Sequence, residues 1–150
     1  MLAKLLVAFF LMALCVAIHA AGMVGAFRWV QVRLARGSRT FWHATWTLVR
    51  IAVWTVFVHL LQISVWAFHY RWDGALPDLA LAFYFSAVTY TTTGYGDVVL
   101  PTDWRLVGGV EALTGILMCG LSTGLFLAVF TKIFLLNPKT SRAEGAAHSK

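Results

Sequence analysis

The chain has 150 residues, of which 60% are hydrophobic and only 12% are charged. A soluble domain of this length carries far more charge on its surface, so the composition excludes a soluble protein and predicts an all-α membrane protein. The net charge of +6 predicts no nucleic-acid partner, because the basic residues lie in segments that membrane topology explains.

Three apolar runs without Asp, Glu, Lys or Arg predict three membrane-spanning helices. They are Leu5 to Val24, Ile51 to Tyr70 and Ala112 to Phe130, and each is close to the length of about 20 residues that a helix needs to cross a bilayer. Five Arg and no acid lie within 28–50, whereas four Asp outnumber two Arg within 71–105. Because basic loops stay on the cytoplasmic side, we expect the 28–50 loop and the C-terminus in the cytoplasm and the N-terminus outside.

The first predicted element is a transmembrane helix within residues 1–27. Lys4 and the small residues around Ala20 also resemble a signal peptide cleaved after Ala20. The run stays apolar as far as Phe27, however, and this favours a retained helix. Residues 28–43 follow as a basic cytoplasmic loop. Three of its arginines are spaced as in voltage-sensing helices, but no apolar span of membrane length surrounds them, so we predict a loop.

Two further spans enclose a shorter element. The second helix is predicted at 44–70, and the last helix begins after the turn at Pro101 and ends near Leu136. The helix predicted between them, at 77–91, is too short to cross a bilayer and suits a segment that enters and leaves on the same side. The polar tail at 137–150 is predicted to be disordered.

The stretch after the short helix carries the chemistry: Thr92-Thr93-Gly94-Tyr95-Gly96-Asp97. Irregular backbone within a bilayer must be buried in protein or line a water path. Glycines at alternate positions permit backbone conformations that other residues resist, so that successive carbonyls can point the same way. Four such strands around an axis would give stacked rings of carbonyl oxygens, which can replace the water around a dehydrated cation.

This stretch resembles the selectivity filter of the potassium channel family, which reads Thr-Val-Gly-Tyr-Gly followed by Asp. The order of elements within 44–136 is similar to that family's pore domain, with an outer helix, a pore helix, the filter and an inner helix. The resemblance implies a homotetramer in which backbone carbonyls bind potassium ions, at Thr92, Thr93, Gly94 and Tyr95. The residues that match the motif are Thr92, Gly94, Tyr95, Gly96 and Asp97, and Thr93 stands where the family usually has Val.

The resemblance implies a potassium-selective channel that conducts passively and is not an enzyme. It would need no cofactor besides the permeant potassium ions, and its partners would be membrane lipid and three further copies. The compact chain favours a multi-pass protein of a bacterial inner membrane. Thr93 leaves open a non-selective cation channel of the same fold, and an accessory membrane subunit that does not conduct is a further alternative. The sequence does not indicate which stimulus opens the pore.

Three residues are predicted to support the filter. By resemblance, the hydroxyl of Tyr84 donates a hydrogen bond to Asp97, and the alternative is that Tyr84 only packs. Glu111 is the only acid within the three predicted spans, and a bare carboxylate facing lipid is costly. We therefore expect Glu111 to brace the pore helix or the filter through hydrogen bonds. The alternative is that it reaches the outer interface and stays hydrated.

The inner helix carries a stripe of residues spaced four apart, which places them on one face. We expect this face to line a wet cavity, and the alternative is a helix-packing face with small residues. By resemblance, Gly115 lies nearest to the family's hinge position. Cys15 and Cys119 are predicted to be packed free thiols, and His59 a hydrogen-bonded packing residue. The stripe consists of Cys119, Thr123, Leu127 and Thr131.

Overall fold

The computed structural model of the chain describes residues 2–35 and 41–134. Within these ranges there is no strand, and three stretches are long and apolar enough to cross a membrane. The all-α class and the three predicted spans are therefore confirmed. The described elements are α1 (Leu2–Ala35), α2 (Phe41–Trp72), α3 (Leu79–Tyr90), a short 3-10 helix (Thr102–Trp104) and α4 (Arg105–Phe134).

The first two helices are longer than the sequence predicts. α1 continues to Ala35 and α2 begins at Phe41, so most of the loop predicted at 28–43 is helical. A helix can leave the bilayer without a break, because headgroups and water accept basic side chains. The positive charge of Arg33 in the last turn of α1 also complements the negative end of the helix dipole. Residues 36–40, with Arg36 and Arg39, and residues 135–150, with Leu136 and the predicted tail, lie outside the described residues.

The connection from α2 to α3 is formed by Gly74 and Asp78. Gly74 has a φ of 70°, a left-handed conformation that glycine adopts without strain, and it lies at the predicted turn. The Asp78 carboxylate accepts a hydrogen bond of 2.8 Å from the backbone N–H of Leu81. This bond satisfies one of the free N–H groups in the first turn of α3. The short helix therefore begins where Pro77 and Asp78 predict it.

The helices pack so that α3 lies against α2 and α4, and α1 lies against the same two helices. A core next to α3 contains the large buried side chains Trp66, Tyr70, Phe85 and Trp104. A smaller core, built around Val30, joins α1, α2 and α4 farther from α3. Many large apolar side chains remain exposed on the outside of the bundle, as expected of a surface that meets lipid or further copies.

An ion pair shows which end of α1 lies near the start of α4. The ammonium group of Lys4 pairs with the carboxylate of Asp103 and lies 4.0 Å from the centre of the Trp104 ring. The start of α1 and the turn that precedes α4 therefore lie at the same end of the bundle. This arrangement agrees with a topology in which the N-terminus and the 71–105 segment share one side of the membrane.

Candidate functional site

The 92–97 segment has an alternating backbone. Positive φ angles occur at Thr92 (59°), Gly94 (56°) and Gly96 (78°), and Thr92 is the sole non-glycine with a positive φ in the described part of the chain. The two glycines are the residues from which the sequence predicts such a backbone. Thr92 adds a third positive φ angle at the same two-residue spacing, and the positions of the glycines alone do not predict it. A β-branched residue is strained in this conformation, by about 1–3 kcal/mol, so the surroundings must hold it there.

The last turn of α3 supplies that restraint. Backbone N–H groups at the start of the segment donate to carbonyl oxygens of α3: Thr92 to Thr89 at 2.9 Å and Thr93 to Val88 at 2.9 Å. The N–H of Gly94 also donates to Val88, at 3.3 Å. Successive amides of the segment are thus tied to the end of one helix, and the segment must follow any movement of that end.

The hydroxyl of Thr93, where the potassium channel motif has Val, has a hydrogen-bond partner. Thr91 Oγ1 donates to the carbonyl oxygen of Ala87 at 2.7 Å and lies 2.9 Å from Thr93 Oγ1. Because the single hydroxyl proton of Thr91 goes to Ala87, Thr93 is the donor in the second bond. The polar atom that distinguishes Thr93 from Val therefore bonds to Thr91, the residue that caps α3.

Asp97, at the outer end of the segment, is held through both carboxylate oxygens. The hydroxyl of Tyr84 donates to Asp97 Oδ2 at 2.5 Å, and the backbone N–H of Val98 donates to Oδ1 at 3.0 Å. The hydrogen bond from Tyr84 is the main cause that lowers the pKa of Asp97 below its ordinary value of 3.8. The structure thus brings together the pair that the sequence predicts, 13 residues apart.

Glu111 is completely buried, which argues against the alternative of a hydrated side chain at the interface. The hydroxyl of Tyr70, in α2, donates to Glu111 Oε2 at 2.8 Å. Neither Glu111 Oε1 nor the hydroxyl of Ser86, in α3, has a hydrogen-bond partner within the described residues. Tyr70, at the end of the second predicted span, is itself buried.

The stripe on α4 faces away from the chain's own helices over most of its length. Cys119, Thr123 and Leu127 are exposed and Thr131 is half-buried. Cys119 is therefore not the packed thiol that the sequence predicts, although Cys15 is buried. A free face of this kind is available to a cavity or to another copy.

Gly115 has a packing role. A Cβ atom added at Gly115 would lie 1.8 Å from the backbone oxygen of Tyr90, far inside van der Waals contact. The absence of a side chain therefore lets α4 touch the end of α3. α4 is one unbroken helix from Arg105 to Phe134, so the described helix shows this close approach where the sequence predicts a hinge.

Comparison with known proteins identifies relatives of this arrangement. A family model described as "Ion channel" matches residues 53–132, which are 80 of the 150 residues. The chain is also 37% identical over 66 residues to the potassium voltage-gated channel protein Shal of Drosophila melanogaster. That alignment covers 43% of this chain and 12% of the fly protein. No solved structure matches the chain.

Proposed function

Because this chain belongs to the ion channel family, we propose that four copies of it enclose a potassium-selective pore, through which potassium crosses the membrane passively. The alternating backbone at Thr92, Gly94 and Gly96 carries the proposal. Such alternation lets consecutive carbonyl oxygens face one axis and replace the hydration shell of a cation. Residues 92–96 are the selectivity filter in this proposal, and α3 is the pore helix.

Exposure of the filter supports assembly from several copies. Every residue from Thr91 to Asp97 is exposed in the single chain, although irregular backbone at membrane depth must be covered by protein or face water. A ring of identical copies meets both conditions. Each copy covers the flank of its neighbour with protein, and each filter faces the water-filled axis. The likeness of the filter to that of potassium channels makes four the proposed number.

Thr93 favours a second candidate, a cation channel that does not discriminate between potassium and sodium. A hydroxyl in place of a methyl group behind the filter changes which atoms hold the carbonyl rings. The bond from Thr93 to Thr91 gives that hydroxyl a partner at the residue that caps the pore helix, however, and leaves the Thr93 carbonyl free to face the axis. We therefore place potassium selectivity first.

The test is an ion-flux measurement on the purified chain in liposomes, with separate potassium and sodium gradients. We expect potassium flux well above sodium flux. Gly96→Ala is the matched negative control, because a Cβ atom at a φ of 78° opposes the left-handed conformation by about 1–2 kcal/mol. Equal fluxes of the two ions would support the second candidate. No flux of either ion from an assembled protein would indicate an accessory subunit.

A further inference from the structure

A closed ring of hydrogen bonds lies within the membrane-spanning bundle, at the residue that ends α3. His59 Nδ1 lies 3.0 Å from the Tyr90 hydroxyl oxygen, and His59 Nε2 lies 3.0 Å from Ser122 Oγ. Ser122 Oγ lies 3.2 Å from His19 Nε2, and His19 Nδ1 lies 3.1 Å from Gln62 Nε2. The Tyr90 hydroxyl closes the ring by donating to Gln62 Oε1. These five side chains, the polar ring, come from all four α-helices.

Four members of the polar ring are shielded from water, and the fifth, His59, is half-buried. His19 and Tyr90 are 1% exposed, Gln62 is 0% exposed and Ser122 is 6% exposed. Polar groups at such a site are costly unless each one has a hydrogen-bond partner. The ring provides every member with two partners, so it satisfies in one arrangement a set of side chains that would each be unfavourable alone.

The direction of the bonds follows from counting protons. Tyr90 donates to the oxygen of Gln62, so the Gln62 amide N–H is free to donate to His19 Nδ1. His19 then donates from Nε2 to Ser122, and Ser122 donates to His59 Nε2. His59 donates from Nδ1 to the Tyr90 oxygen and completes the circuit. Each member donates one bond and accepts one bond within the ring.

The opposite direction also closes if the oxygen and nitrogen of the Gln62 amide are exchanged. In both directions the two imidazoles are neutral, and they carry their protons on different nitrogens: one on Nδ1, the other on Nε2. An additional proton on either imidazole would open the ring, because its five contacts accommodate five protons and a sixth would have no acceptor within it. The geometry therefore requires two neutral histidines of opposite tautomer.

The polar ring and Gly115 contact the end of the pore helix at two different atoms of Tyr90. The Tyr90 hydroxyl belongs to the ring, while the Tyr90 backbone oxygen packs against Gly115. Tyr90 is followed by Thr91 and the filter, whose first amides are bonded to the last turn of α3. A shift of Tyr90 would therefore be passed directly to Thr92 and Thr93.

α1 completes this restraint, although it lies outside the region that matches the ion channel family, residues 53–132. His19 supplies the link between Gln62 of α2 and Ser122 of α4. We propose that His19 is a positioning residue for the filter, acting through the polar ring on Tyr90; this role rests on the proposed channel function. The N-terminal helix is in this view a working part of the pore and not only an anchor.

The ring itself is tested by solid-state NMR of the full chain in lipid bilayers, with ¹⁵N-labelled histidine. We expect two neutral imidazoles of opposite tautomer, assigned by the loss of one signal in His19→Ala and of the other in His59→Ala. Equal tautomers, or a charged imidazole at either position near neutral pH, would overturn the ring. This measurement needs no conduction, so it stands even if the chain proves not to select potassium.

The positioning role is tested by the permeability ratio of potassium to sodium in liposomes. Tyr90→Phe removes only the ring oxygen and keeps the side-chain volume, so it remains informative if His19→Ala fails to assemble. We expect each variant to lower the ratio by roughly fivefold, the factor by which losing one net hydrogen bond changes an equilibrium. Val16→Ala, at an exposed site on α1, should leave the ratio unchanged.

A double variant separates positioning from a general loss of stability. Because either substitution already opens the ring, His19→Ala combined with Tyr90→Phe should lower the ratio hardly more than one substitution alone. Independent effects that add would contradict a common ring. If Tyr90→Phe has the same permeability ratio of potassium to sodium as the parent protein and still discriminates between the two ions, the positioning role is overturned. The proposed function would then stand.

Discussion

At the end of the proposed filter, the hydroxyl group of Tyr84 is one of the two groups that hold the carboxylate of Asp97. Tyr84→Phe removes the 2.5 Å bond to Asp97 and leaves the aromatic ring in place. Asp97 then keeps its bond to the N–H of Val98 but loses its strongest restraint. We expect the filter of this variant to lose ion occupancy and to inactivate sooner, as measured by current decay in planar bilayers.

The same pair predicts a dependence on pH. The pKa of Asp97 is lowered by the bond from Tyr84, so the stabilisation it gives is present above the ordinary value of 3.8 and is lost as the pH falls through the lowered value. In Tyr84→Phe the pKa of Asp97 returns towards 3.8. The acid limit of potassium flux should therefore move to higher pH in the variant. An unchanged limit would mean that this carboxylate does not control the filter.

Glu111 offers a comparison between two substitutions at one buried position. Glu111→Gln keeps an acceptor for the hydroxyl of Tyr70, which bonds to Glu111 at 2.8 Å. Glu111→Ala leaves that hydroxyl buried without a partner, at a cost of about 1–3 kcal/mol, and leaves a cavity as well. We expect thermal unfolding of the assembled protein to shift far more in the Ala variant. Similar midpoints for both variants and the parent would exclude a bracing role.

At the scale of the elements, it can be tested whether the exposed stripe on α4 faces water or another copy. In a background with Cys119 removed, Thr123→Cys should react with a water-soluble thiol reagent added from the side that the sequence predicts to be cytoplasmic, because Thr123 lies on the exposed stripe. A cysteine placed at the buried Val129 is the matched control and should not react. If the Thr123 cysteine is equally protected in conducting protein, the stripe contacts another copy and not a water-filled cavity.

The extent of each element was predictable where a local signal marks its end. Asp78 caps α3 and Gly74 ends α2, and both signals can be read from the chain alone. The extension of α1 to Ala35 has no such mark, because arginines are compatible with both a loop and a helix beyond the bilayer. Apolar length locates a span in the membrane but does not show how far the helix continues outside it.

Contacts between different elements were predictable only where both residues belong to a known family motif. The pairing of Tyr84 with Asp97 and the filter backbone follow from the likeness to potassium channels. The bond from Tyr70 to Glu111 and the polar ring depend on how four helices are rotated about their axes. An almost uniformly apolar helix has no amphipathic pattern that reveals this rotation. His19 and His59 are 40 positions apart in the sequence, and nothing near either one indicates that they meet.

For the whole molecule, the number of copies is the property on which the proposed function most depends. Native mass spectrometry of the protein released from detergent should give four times the chain mass of 16.6 kDa. A single chain provides only one wall of a pore, so a monomer or a dimer that still conducts would contradict the proposal. Gly25→Ala, at a helical position where an added Cβ meets no neighbour, should leave the assembly at four copies.

The contact between Gly115 and the Tyr90 backbone oxygen also has a mechanical consequence. α4 extends from the outer turn at Arg105 to Phe134, and it touches the end of α3 about a third of the way along. If α4 tilts about this contact, its longer segment after Gly115 moves farther than its shorter segment before Gly115. In the proposed channel, widening of the inner mouth would therefore press on the pore helix at the point where the filter begins. The absence of a side chain at Gly115 would in this way couple movements at the two ends of the proposed pore.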